Sequence, residues 1–116
     1  MNVTVPNYER AFVPEAKVAG YLLSDTHPIG RHKAKFFTMF GFLVERWSEL
    51  ATALSLHAAN YEAVKVENAR YGTRYVVEGI MPTHDGRIPL VRTVWVIDHG
   101  ADTPRFVSVY PLEAEV

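Results

Sequence analysis

The sequence predicts an α+β domain, with three N-terminal helices packed on a C-terminal antiparallel sheet of about four strands joined as a meander. Three observations carry this reading. Apolar residues recur at helical spacing as far as Asn60, and beyond Tyr61 alternating β-branched and aromatic residues take over. The Asp85-Gly86 pair then marks a tight turn between two such runs. With 116 residues the chain fits a single α+β domain over 1–116, long enough to bury a core without covalent staples.

The first helix, over 14–23, takes Pro14 in its opening turn and carries Val18, Tyr21 and Leu22 as an i, i+3, i+4 stripe. Turn residues from Ser24 to Pro28 interrupt it. The second helix runs over 29–40 and stops at Gly41, placed as a C′ glycine. The third, over 45–60, sets Trp47, Leu50, Ala51, Leu54 and Ala58 on one side and ends at Asn60. Strands follow at 64–67 and 74–81 and, across the turn His84-Asp85-Gly86-Arg87, at 88–97. A loop from Asp98 to Thr103 leads to the last strand, 104–110.

If Asp85-Gly86 is a two-residue turn, His84 pairs with Arg87, Gly79 faces Arg92 and Glu78 faces Thr93. If Asp98 and Pro104 close the next loop, Arg92 also lies beside Tyr110, and Val94 beside Ser108. Alternation then gathers Val76, Ile80, Val91, Trp95, Ile97, Val107 and Val109 on one face, with Glu78 beside Thr93; this is the face expected under the helices. The other face collects Tyr75, Val77, Leu90, Val94, Val96 and Phe106, and ends in the polar group Arg92, Tyr110 and Ser108. An arginine on a strand ordinarily lies flat with its head in solvent, or pairs with a carboxylate. Its functional alternative here is a fork for an oxyanion or phosphate, with the two hydroxyls as further donors.

Twelve Lys+Arg against thirteen Asp+Glu leave a net charge of −1. That argues against broad nonspecific binding to nucleic acid, yet allows one local anion site. Between Asp25 and Glu45 no acid occurs, while Arg31, Lys33 and Lys35 crowd the start of the second helix, with His27 and His32 beside them. Lys33 shares a face with Phe36, Phe37 and Phe40, so it either snorkels or is aimed at a site. Cations at a helix N-terminus oppose the macrodipole, and an anion bound there would relieve the conflict. His32 is ordinarily a surface residue, and beside Arg92 and Tyr110 it would serve as a general acid or base.

The absence of cysteine excludes disulfides, thiol catalysis and thiolate zinc sites. No pair of histidines has metal-ligand spacing and no phosphate-binding glycine loop occurs, so neither metal nor cofactor is expected. No apolar run approaches the roughly 20 residues of a membrane span, and no signal peptide is visible. A cytoplasmic location with no membrane partner is expected.

The run His27-Pro28-Ile29-Gly30-Arg31-His32-Lys33-Ala34-Lys35-Phe36-Phe37, preceded by Tyr21-Leu22-Leu23, resembles a family of small bacterial domains of unassigned function. It is similar too to C-terminal modules of bacterial polymorphic toxins. Tyr71-Gly72-Thr73-Arg74-Tyr75 and Arg92-Thr93-Val94-Trp95-Val96 extend the resemblance over most of the chain. Such modules have been grouped with the barnase–EndoU–colicin–RelE ribonuclease fold, so the resemblance implies a metal-independent endoribonuclease acting on RNA or another phosphate-bearing ligand. Carried onto this chain, Lys33 and Arg92 would stabilise charge while His32 and Tyr110 handle protons. The competing reading is a noncatalytic module that binds a protein or small ligand. Both sheet faces are apolar, and a single helical layer leaves one open to a homodimer or protein partner.

Overall fold

A computed structural model of the chain describes residues 3–83 and 85–112. The architecture is α+β, with the helices in the N-terminal part and a four-stranded antiparallel meander at the C-terminus. The strands are β1 (Ala63–Asn68), β2 (Gly72–Ile80), β3 (Leu90–Asp98) and β4 (Arg105–Pro111), in spatial order β1-β2-β3-β4.

The three helices are unequal, which corrects the expectation of three helices laid on the sheet. Where one helix was expected over 14–23 there is a single α turn, α1 (Glu15–Lys17), running into a π-helical turn (Val18–Leu22). The i→i+5 hydrogen bond from Leu23 N to Val18 O, at 2.8 Å, defines that turn. Its cause is packing. Widening the turn around Gly20 brings Val18, Leu22 and Leu23 all into the core, which the tighter α turn cannot do. The second helix, α2 (Gly30–Met39), packs on the π turn, and α3 (Trp47–Asn60) lies across β2 and β3. The N-terminal segment also bridges both sheet edges, Val3 to Ala63 and Phe12 to Arg105.

Gly41 ends α2 as expected. With φ of 92°, it lets Gly41 N bond Thr38 O at 3.0 Å and Phe42 N bond Phe37 O at 3.2 Å. This is a Schellman stop, and the Phe37 and Phe42 rings supply its apolar contact at 6.3 Å. The Arg87 guanidinium, over the Phe40 ring, donates to Met39 O and ties the β2–β3 hairpin to the same helix end.

The hairpin departs from the expected register by one residue. Thr83 N bonds Arg87 O at 3.0 Å, so the hairpin closes between Thr83 and Arg87, a three-residue loop rather than two. Asp85 accepts from the Thr83 hydroxyl and the Arg87 amide, and Gly86 adopts φ of 89°. A three-residue loop with a left-handed glycine is a stable alternative to the two-residue Asp-Gly turn. Gly79 therefore faces Val91, and Glu78, not Gly79, faces Arg92.

A one-residue slip exchanges faces. Tyr75 and Val77, expected on the open face, join Val91, Trp95 and Val109 in the core under α3. Val76 moves to the other face beside Val94. Phe106 also changes face, because β4 carries a bulge: Val94 pairs with Ser108 but Trp95 pairs with Phe106, leaving Val107 as an extra residue. The Trp95 and Phe106 rings then meet edge to face at 5.5 Å. The pairings of Arg92 with Tyr110 and Val94 with Ser108 are those the sequence predicts. His84 and the tail acids Glu113 and Glu115 lie outside the described residues.

Candidate functional site

The face of the sheet away from α3 is built on Val76, Val94 and Val96, which are buried although they lie outside the main core cluster. Charged side chains flank them in the cross-strand positions. Arg74 pairs with Glu67 at 2.7 Å, Arg105 with Asp98 at 2.7 Å, and Arg92 with Glu78 at 2.5 Å. The stems of such side chains cover apolar surface while their heads stay in water.

At the β4 edge of this face the pattern changes from paired to unpaired charge. Lys33 reaches from α2 to β4, donating from Nζ to Ser108 Oγ at 3.0 Å. Its ammonium sits 4.1 Å from the Tyr110 ring centroid and 5.6 Å from that of Tyr21. Lys17, at the end of α1, donates to Val107 O at 3.1 Å. Among the described residues neither lysine has a carboxylate within ion-pair distance. The bulge at Val107 offers that carbonyl to Lys17 and the next hydroxyl to Lys33.

Burial pushes the Lys33 ammonium below its ordinary pKa, against the opposing attraction of Tyr110. The Tyr110 phenol is held below its own ordinary value by its hydrogen bond with Ser108, then by the positive charges of Lys33, Arg74 and Lys17. A lysine more ready to give up a proton thus lies against a tyrosine more ready to lose one.

Of the four residues singled out from the sequence, Lys33 and Tyr110 meet directly, and Arg92 pairs with Tyr110 across the β3–β4 ladder while its guanidinium is held by Glu78. His32 is exposed on α2, with no side-chain hydrogen bond, ion pair or ring contact among the described residues. The expected anion at the start of α2 is replaced by an internal cap. His27 Nδ1 accepts from Ile29 N at 3.1 Å and from Gly30 N at 3.0 Å, satisfying the donors an anion would have used. Lys17 escaped sequence reading because nothing in a short amphipathic turn marks one exposed lysine as reaching to β4.

Sequence reading also missed His57. Its place one turn beyond Leu54 on the buried stripe of α3 was the available signal. Its Nε2 lies 3.0 Å from Gly79 O and its Nδ1 2.8 Å from Thr93 Oγ1, which accepts from Trp95 Nε1 at 2.9 Å. A carbonyl can only accept, so Nε2 carries the proton and Nδ1 accepts from Thr93. Burial pushes the imidazole below its ordinary pKa, with the Gly79 and Val91 carbonyls opposing. Gly79 is needed beside it, since a Cβ there would lie 2.6 Å from the Tyr61 ring. This network ties α3 to the sheet. Among the described residues no three His, Asp or Glu side chains group as a metal site requires, and no helix is long and apolar enough to cross a membrane.

A family model described as Domain of unknown function (DUF6883) matches residues 4–113. No curated protein sequence matches significantly. In fold the chain is similar to a component of a contact-dependent growth inhibition toxin–immunity protein complex from Klebsiella pneumoniae 342, with a TM-score of 0.67 at 16% identity. That likeness covers 86% of this chain and 98% of the other.

Proposed function

We propose that this chain, which belongs to the DUF6883 family, is a toxin-related, metal-independent ribonuclease-like domain that binds a phosphodiester where α2 meets the edge strand β4. The observation that carries this reading is the convergence of Lys17 and Lys33, both without a carboxylate partner among the described residues, on the bulged strand beside Ser108 and Tyr110. Fold similarity to a component of a toxin–immunity complex supports the toxin-related part.

In this chemistry the 2′-oxygen forms a bond to phosphorus and the bond to the 5′-oxygen breaks, giving a 2′,3′-cyclic phosphate and a 5′-hydroxyl. Tyr110, ionised, takes the 2′-hydroxyl proton, and Lys33 stabilises the phosphorane charge and protonates the departing 5′-oxygen. A proton then passes from Tyr110 back to Lys33, restoring both. Arg92 supplies a second cation once an RNA phosphate competes with Glu78 for its guanidinium.

Incubating the protein with total RNA, with and without a chelator, tests the reading. Cleavage insensitive to chelator is expected; Arg92→Ala should abolish it and Lys33→Ala should cut it severely. Intact RNA together with normal growth on strong expression would overturn it. A second reading is a noncatalytic module for a protein or small ligand, self-associating through an uncovered sheet surface. It is favoured by Val64, exposed at 54% and lining the same hollow as Val76 and Arg92 on the open face, and a concentration-independent monomer by light scattering would remove it.

A further inference from the structure

Lys33 stands within reach of two aromatic rings rather than one. Tyr110, on β4, lies 4.1 Å from its ammonium and Tyr21, from the π turn, 5.6 Å. Next to Tyr21 a cavity of about 400 Å³ opens between α1, the π turn and β4, lined by Ala16, Lys17, Tyr21, Val107 and Ser108. Its walls are an aromatic ring and two small apolar side chains, and its polar groups are the hydroxyl and ammonium that border the anion site. Tyr110 is 44% exposed, so much of its ring surface faces solvent.

A cation within reach of two rings from different elements suits a single nucleic-acid strand, in which each phosphate joins two base-bearing sugars. In a duplex those bases are paired and stacked on one another and cannot reach separate protein rings. In a single strand each can splay onto an aromatic side chain, an interaction every base permits. Lys33 uses one of its three N–H donors on Ser108, leaving the others for a phosphate oxygen.

We infer that the site takes single-stranded RNA as an unstacked dinucleotide step, with the phosphodiester on Lys33, one base in the cavity beside Tyr21 and the other against Tyr110. This deepens the ribonuclease reading and rests on its anion site. It goes further in assigning a base subsite at Tyr21 and in excluding duplex.

The test measures binding rather than turnover, using a 2′-deoxy tetranucleotide, which lacks the attacking hydroxyl, the same sequence inside a DNA duplex, and inorganic phosphate. Affinities are read by NMR titration of the intact chain. The single strand is expected to bind at least about tenfold more tightly than the duplex. Tyr21→Leu and Tyr110→Leu should each cost about tenfold in single-strand affinity, the scale of one lost stacking contact. Tyr21→Phe keeps the ring and should retain binding, and phosphate binding should be unchanged in Tyr21→Leu but lost in Lys33→Ala. If Tyr21→Leu fails to fold by circular dichroism, Tyr110→Leu carries the same comparison. Equal affinity for single strand and duplex, or full single-strand affinity in the leucine variants, would overturn the inference while phosphate binding at Lys33 leaves the anion site standing. If phosphate and single strand both fail to bind, both readings fall.

Discussion

Under α3, the buried polar side chains His57 and Thr93 are neutral, and every donor meets an acceptor in a chain from Trp95 through Thr93 and His57 to Gly79. At the β4 edge of the opposite face, Lys33 is charged, half-buried, and bonded to a hydroxyl and an aromatic face instead of a carboxylate. Both are basic groups pressed below their ordinary pKa by burial. The difference lies in completion. A satisfied network stabilises a fold, whereas a desolvated cation without a counter-charge is poised for an anion from outside.

The contrast can be broken by exchanging readouts. The largest expected effect is that of Lys33→Ala on RNA cleavage, a loss of about 10²–10³-fold, the scale of one removed charge-stabilising donor. Its urea midpoint should scarcely move. His57→Ala should do the reverse, losing about 3 kcal/mol of unfolding free energy by leaving Thr93 and Gly79 unpartnered in the core, with cleavage intact in the folded fraction. Thr93→Val should cost about 2 kcal/mol by the same logic, read in the same denaturation series. Stability losses at Lys33 and cleavage losses at His57 would invert the assignment.

Acidity sharpens it further. The His57 imidazole is depressed in the folded state, so both states are neutral above its ordinary value of about 6.5. As pH falls below that value the unfolded chain takes up the proton first, and stability declines until the folded imidazole also titrates. Denaturation midpoints measured from pH 8 downward should fall in the parent and stay flatter in His57→Gln. Cleavage should respond on the alkaline side instead. It rises as Tyr110 ionises below the ordinary tyrosine range and falls again as Lys33 loses its proton below the ordinary lysine range. The smallest effect expected is a few-fold change in cleavage for Glu78→Gln, which releases Arg92 from its partner.

Much of this was legible in the residues, and the misses have physical causes. The run from Leu50 through Leu54 to Ala58 marked α3. Arg92 faces Tyr110 as read, but not because the loop closes between Asp98 and Pro104: Val96 pairs with Arg105 there, and the β4 bulge restores the offset. The Asp85-Gly86 pair marked the hairpin but not its length, which was settled by Thr83 and Asp85 bonding around the turn. The first helix misled because α and π turns share an apolar stripe, and the choice between them belongs to tertiary packing. At the site, Lys33 was visible as a cation on an aromatic stripe. Lys17 and the Tyr21 cavity were not, since both depend on where β4 bulges.

That bulge sets how this surface can vary. Phe106 and Val109, three positions apart, both serve the core, and the extra residue between them resets the phase of the strand. Deleting Val107 would not merely shorten an edge. It would force either Phe106 out of contact with Trp95 or Ser108 and Tyr110 inward beneath α3. A single-residue deletion here should therefore disturb core and edge together, whereas substitutions at Ser108 and Tyr110 change the edge and leave the core contacts of Phe106 and Val109 in place. One strand thus carries two separate sets of side chains, one for the core and one for the open face.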